Sequence, residues 1–135
     1  MKNRRDFLKS SIAVAIGMAL SAPKKIFAFS GYFSGMFYTK ENPGKWAGKE
    51  GSHAPKITLE GKKVTVKTPH PMTEKHYIVR HTLVSADGKV LGEKTFYPSN
   101  PKAISTYELP EKHSSKVYAT SFCNLHDLWV TEFNV

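Results

Sequence analysis

The stretch Lys116-Val117-Tyr118-Ala119-Thr120-Ser121-Phe122-Cys123-Asn124-Leu125-His126 alternates small inward-type residues with bulkier or polar ones. Side chains of a strand point alternately to opposite faces, so Val117, Ala119 and Ser121 share one face and lead by the same parity to Cys123. The same spacing recurs outward from this run. Short β-rich segments span residues 56–60, 63–68, 77–86, 90–97, 103–109, 116–122 and 128–135, and within the second of them Val64 and Val66 share a face. Turn signals separate them: Glu60-Gly61, Asp87-Gly88, Pro98-Ser99-Asn100-Pro101 and Pro110-Glu111. No helical period is visible after residue 28. The expectation is an all-β domain, a seven-stranded antiparallel immunoglobulin-like β-sandwich.

Before the strands lies residues 29–52, rich in Gly, aromatic and charged residues and without a helical or two-residue period, which reads as an arm wrapping the core. Residues 1–28 read differently again. Arg4-Arg5 precedes an apolar run from Ile12 to Leu20 and then small residues at Ser21-Ala22 and Ala28. That is the pattern of a twin-arginine export signal, and its apolar run is shorter than the roughly 20 residues of a membrane span. The expected organisation is a signal segment over 1–28, cleaved after Ala28 or, second, around Ala22, and one domain over 29–135. The expected destination is the periplasm, with membrane contact only during export.

The chain of 135 residues carries a formal charge of +9, but six Lys/Arg and one acid fall within residues 1–28, leaving 14 basic and 10 acidic residues beyond them. Arg80 is the single guanidinium in that part. A mildly basic surface without an arginine cluster argues against nucleic acid and for a small anionic substrate.

Cys123 is the only cysteine, so no internal disulfide can form, and a free thiol in an oxidising compartment needs a purpose. Four of the six histidines sit in tight contexts: Ser52-His53-Ala54-Pro55, His70-Pro71-Met72-Thr73-Glu74-Lys75-His76, and Cys123-Asn124-Leu125-His126. The last is a Cys-x-x-His hook, a spacing that lets one loop turn both side chains onto one ion. Zinc is satisfied by four ligands, whereas one thiolate with four imidazoles gives five and leaves one octahedral position open. Imidazole suits iron, copper and zinc alike, so donor type alone does not select the metal. His81 and His113 are set apart, the first mid-strand beside a polar neighbour and the second in an exposed turn. Phe122 and Trp129, flanking the cysteine loop, are expected in the core.

His70-Pro71-Met72 through His76-Tyr77-Ile78, Cys123-Asn124-Leu125-His126 followed by Leu128-Trp129, and His53-x-Pro55-x-Ile57 resemble the three iron-binding segments of the desulfoferrodoxin and neelaredoxin superoxide reductases. The resemblance spans residues 53–129. It implies one mononuclear non-haem iron with His53, His70, His76 and His126 as equatorial ligands, Cys123 as axial thiolate, and superoxide meeting ferrous iron opposite the sulfur. It also implies an external electron donor such as a rubredoxin-like protein or a cytochrome, and is compatible with a homo-oligomer. The four-cysteine iron site of larger members is absent. A non-catalytic iron protein, for electron transfer or redox and nitric-oxide sensing, is the alternative; a copper or zinc module is a third.

Most of that family carries Glu-Lys before the first ligand histidine, the lysine attracting superoxide and the glutamate binding the open position of the oxidised form. Here Gly51-Ser52 stands there, with Lys49 and Glu50 upstream. If a cation replaces the family lysine, Lys49 is the first candidate and Lys75 the second. Lys49 lies four residues before His53, roughly 13 Å if extended, so the arm must fold back to bring its ammonium to the iron.

Overall fold

The computed structural model describes residues 35–135. The expected signal segment over 1–28 and the start of the arm lie outside them. The seven strands fall where the alternation places them, with ends shifted by a residue or two: β1 (Lys56–Glu60), β2 (Lys63–Thr68), β3 (Ile78–Ser85), β4 (Val90–Thr95), β5 (Ala103–Glu108), β6 (Lys116–Cys123) and β7 (Asp127–Asn134). They form two antiparallel sheets, β1-β2-β5 and β4-β3-β6-β7. Two such sheets with their apolar faces turned inward make the sandwich.

The inward faces obey the two-residue period. Val64 and Val66 of β2 are fully buried, as are Val117, Ala119, Ser121 and Cys123 of β6. Val64, Val66, Leu83, Leu109, Val117 and Ala119 form one core cluster; Ile78, Phe96, Ala103 and Cys123 form a second, at the end where β6 delivers its cysteine. Trp129 is wholly buried as expected, but Phe122 is 42% exposed, because its parity opposite Ser121 and Cys123 turns it to the outer face of the sheet. Between Ile78 and Arg80 the pairing of β3 with β6 slips by a β-bulge, so that Ile78 faces Cys123 across the ladder and His81 faces Ser121. The extra residue lets Ile78 and His81, three apart, both point inward.

His81 thereby becomes a wholly buried titratable group. Its Nδ1 lies 2.8 Å from Ser105 Oγ and its Nε2 2.8 Å from Thr68 Oγ1, which in turn is 2.7 Å from Ser121 Oγ, and its ring packs edge-on against Phe96. Burial, reinforced by the Lys94 charge, lowers its pKa from 6.5 to about 4. A depressed histidine pKa means that the unfolded chain takes up its proton first, so stability present at neutral pH is lost as pH falls from about 6.5 through about 4, by about 3 kcal/mol in total. Urea unfolding of the metal-free protein and of His81→Gln should therefore converge: the wild-type advantage at pH 7 shrinks by about 3 kcal/mol by pH 4. An advantage unchanged over that range would mean that His81 titrates normally.

The arm is not wholly irregular. It contains one 3-10 turn, Gly44–Trp46, and a one-turn helix α1, Glu50–His53, where the sequence shows no helical period. Four residues are too few for a period to appear. Upstream, Tyr38 bridges to Trp129 in parallel, its N–H donating to the Leu128 carbonyl at 2.8 Å and its carbonyl accepting from Val130 N–H at 2.8 Å. Tyr38, Ala54 and Trp129 form a third buried cluster, with Trp46 packed against it.

Candidate metal centre

Three segments converge at one end of the sandwich. The helical turn α1 ends in His53, the loop after β2 supplies His70 and His76, and the hairpin between β6 and β7 supplies Cys123 and His126. Their five donor atoms all lie within 4.8 Å of one another. Each segment is held by its backbone. In α1, His53 N–H donates to the Lys49 carbonyl at 3.0 Å. In the second loop, Thr73 exchanges backbone hydrogen bonds with His76, and Pro71, which lacks an N–H, keeps the chain extended as it leaves β2. Asn124 ties that loop to the third, accepting from Tyr77 N–H and donating its amide to the Lys75 carbonyl, each at 3.0 Å.

The imidazole nitrogens form a circuit. His53 Nε2 is 3.0 Å from His126 Nδ1, which is 2.9 Å from His76 Nε2, which is 2.9 Å from His70 Nε2; the His70 and His53 rings close the circuit edge to face at 4.6 Å. Cys123 Sγ lies 3.2 Å from His76 Nε2 and 3.7 Å from His126 Nδ1. Metal–nitrogen bonds of about 2.1 Å at right angles would set adjacent nitrogens about 3.0 Å apart, and the three nitrogen–nitrogen distances match that spacing.

The tautomers agree. A carbonyl only accepts, so His53 Nδ1, 3.0 Å from the Lys49 carbonyl, carries a proton, and so does His70 Nδ1, which donates to the Pro71 carbonyl. Both histidines therefore turn an Nε2 lone pair inward, the arrangement by which outer partners orient metal-bound imidazoles. Ser52 shares in this: its hydroxyl donates to the Lys49 carbonyl at 3.2 Å and its oxygen lies 2.8 Å from His53 Nδ1.

Electrostatics favour the neutral form of three of the imidazoles, those of His53, His70 and His126. Burial, aided by the neighbouring His70, lowers the His53 pKa to about 4, burial lowers that of His70, and burial with the Lys49 charge lowers that of His126. Burial pushes the Cys123 thiol up, while backbone N–H groups of Leu125 and His126 directed at the sulfur pull it down. Those two donors are the partners a bound thiolate requires. Lys49, at the head of α1, also favours the thiolate. The arm thus folds back in a helical turn, and Lys49 serves the site twice, through its carbonyl under His53 and through a charge felt at Cys123 and His126.

Sequence reading missed three contributors: Trp46, Asp127 and the Asn124 side chain. Nothing in the local pattern singles them out, since each acts on a residue brought near by folding. Ser52 was seen as a replaced family residue; its hydrogen bond to His53 was not.

Four imidazoles and one thiolate converging from three loops of a β-sandwich define a mononuclear metal-binding domain, with one donor more than tetrahedral zinc takes. The desulfoferrodoxin family model matches residues 45–132, and the chain belongs to that family. The chain is similar to a desulfoferrodoxin homolog of Archaeoglobus fulgidus, 40% identical over 61% of this chain and 62% of the relative's length. It thus spans less than two thirds of that relative. It is 32% identical to a superoxide reductase of Pyrococcus furiosus, over 66% of this chain and 90% of the relative. Among solved structures, a superoxide reductase (neelaredoxin) from Ignicoccus hospitalis superposes with a TM-score of 0.65 at 29% identity, covering 78% of this chain and 98% of the other. The family binds a single non-haem iron, and His53, His70, His76, Cys123 and His126 are the residues suited to hold it.

Proposed function

We propose that this protein is a periplasmic superoxide reductase, exported by its twin-arginine segment and re-reduced by an external donor such as a rubredoxin-like protein or a cytochrome. The observation that carries the reading is the five-donor cluster itself, which would leave one of six octahedral positions for a substrate, with the Lys49 charge acting on His126. Held by these five residues, iron would supply one-electron redox chemistry, by which superoxide, one electron and two protons would give hydrogen peroxide. The protein's residues prepare that event. The Lys49 ammonium raises the local concentration of the anion. Neutral imidazoles would add no charge to oppose the ferrous state, and a Cys123 thiolate, steadied by the Leu125 and His126 N–H groups, would donate electron density to the metal. Ser52 and the Lys49 carbonyl hold the His53 ring in place.

A non-catalytic His4Cys iron protein is the second reading, and Gly51-Ser52 in place of the family's Glu-Lys favours it. A superoxide pulse delivered to the reduced protein separates the two: oxidation of the iron near the diffusion limit supports the enzyme. Lys49→Ala should slow capture several-fold and flatten its dependence on ionic strength, while Ser52→Lys should speed it. Lys75, the second candidate cation, is exposed, and it meets the site through its backbone carbonyl. If neither Lys49→Ala nor Lys75→Ala alters capture while Ser52→Lys raises it by orders of magnitude, the guiding charge is missing and the non-catalytic reading takes over.

A further inference from the structure

His126 is held unlike the two ligands that lean on carbonyls. It turns Nδ1 inward, and its outer Nε2 has no hydrogen-bond partner among the described residues; instead the Trp46 indole packs edge to face against its ring at 4.6 Å. Trp46 is itself fixed, its Nε1–H donating to Asp127 Oδ2 at 3.0 Å. The same carboxylate pairs with Lys45 Nζ at 3.1 Å, and that ammonium lies 4.9 Å above the indole. Asp127 follows His126 directly and has φ +63°, the one left-handed non-glycine residue among those described. Glycine would take this conformation without strain, so the carboxylate occupies a position that costs the backbone something and returns two bonds to the arm.

We propose that Trp46, anchored by the Asp127 carboxylate, is the positioning residue for His126, doing for that imidazole what the Lys49 and Pro71 carbonyls do for His53 and His70. This rests on the iron reading of the five-donor cluster. It deepens that reading by assigning part of the site's metal retention to the arm, which clamps the cysteine hairpin from outside.

The test separates this role from ordinary stabilisation by using iron-loaded protein and two readouts: the rate of iron loss to an excess of chelator, and the energy of the thiolate-to-ferric band. Asp127→Gly relieves the left-handed strain yet removes the anchor. It should keep or raise the melting temperature of the metal-free protein while speeding iron loss about 10-fold and moving the band. Trp46→Leu should speed iron loss at least as much. Asp127→Asn, which keeps an acceptor for the indole and tolerates positive φ, should stay near the wild type. A purely structural role predicts that iron retention follows the melting temperature, so an Asp127→Gly protein that is as stable as the wild type and holds iron equally well, with an unmoved band, overturns the proposal. Should Trp46→Leu not fold, the Asp127→Gly and Asp127→Asn pair decides. A wild type that binds no iron would instead refute the site reading, and this proposal with it.

Discussion

Replacing Cys123 with serine should leave the sandwich folded and remove the low-energy charge-transfer band of the oxidised iron protein altogether. Cys123 is fully buried and packs with Ile78, Phe96 and Ala103, so the change is close to isosteric but puts a hydroxyl where a weakly polar sulfur was. The Leu125 and His126 N–H groups that face the sulfur can donate to the new oxygen, which limits the cost to roughly 1–2 kcal/mol. The band has no such substitute, because it arises from electron donation by thiolate into ferric iron. Visible absorption and a thermal melt of the same sample check both halves. A Cys123→Ser protein with the band unchanged would remove the cysteine from the coordination sphere.

His76→Ala should cost the most iron of any single imidazole removed. Its Nε2 lies within 3.2 Å of three other donors, those of His70, His126 and Cys123, whereas the His53 and His70 nitrogens each lie on one side of the circuit. Its ring is only partly buried, so the cavity left behind reaches solvent and the fold loses little. Losing one of five donors should weaken iron binding by at least the 10–100-fold that follows loss of an outer partner, and His70→Ala should also lower occupancy. Iron content after gel filtration, with circular dichroism to confirm the fold, measures it. Full and tightly held iron in both variants would place the site elsewhere.

The uneven visibility of these features in the sequence has a physical cause. Strand positions and their inward faces could be read at once, because alternation is a local property: Val64 with Val66, and Val117 through Cys123, needed only the two-residue period. The same period already placed Phe122 outside, and expecting it in the core gave its size more weight than its parity. The bulge at Ile78 was invisible, since an unpaired residue is defined by the partner strand; with it went the burial of His81, which alternation from Ile78 would have turned outward.

The ligands divide along the same line. Cys123 with His126, and His70 with His76, stand close in the chain, so the sequence alone determined that these loops could each present two donors, and the resemblance joined His53 to them. That five atoms converge within 4.8 Å was decided by the packing of the two sheets, which sets the end of β2 against the paired ends of β3 and β6. The distant residues that hold those ligands were decided only in three dimensions: Asn124 across two loops, and Trp46 and Asp127, 81 residues apart, by one hydrogen bond, whereas the Lys49 carbonyl lies only four residues from His53. A side chain's chemical type is written locally, but orienting contacts depend on where distant backbone passes, and no local pattern encodes that.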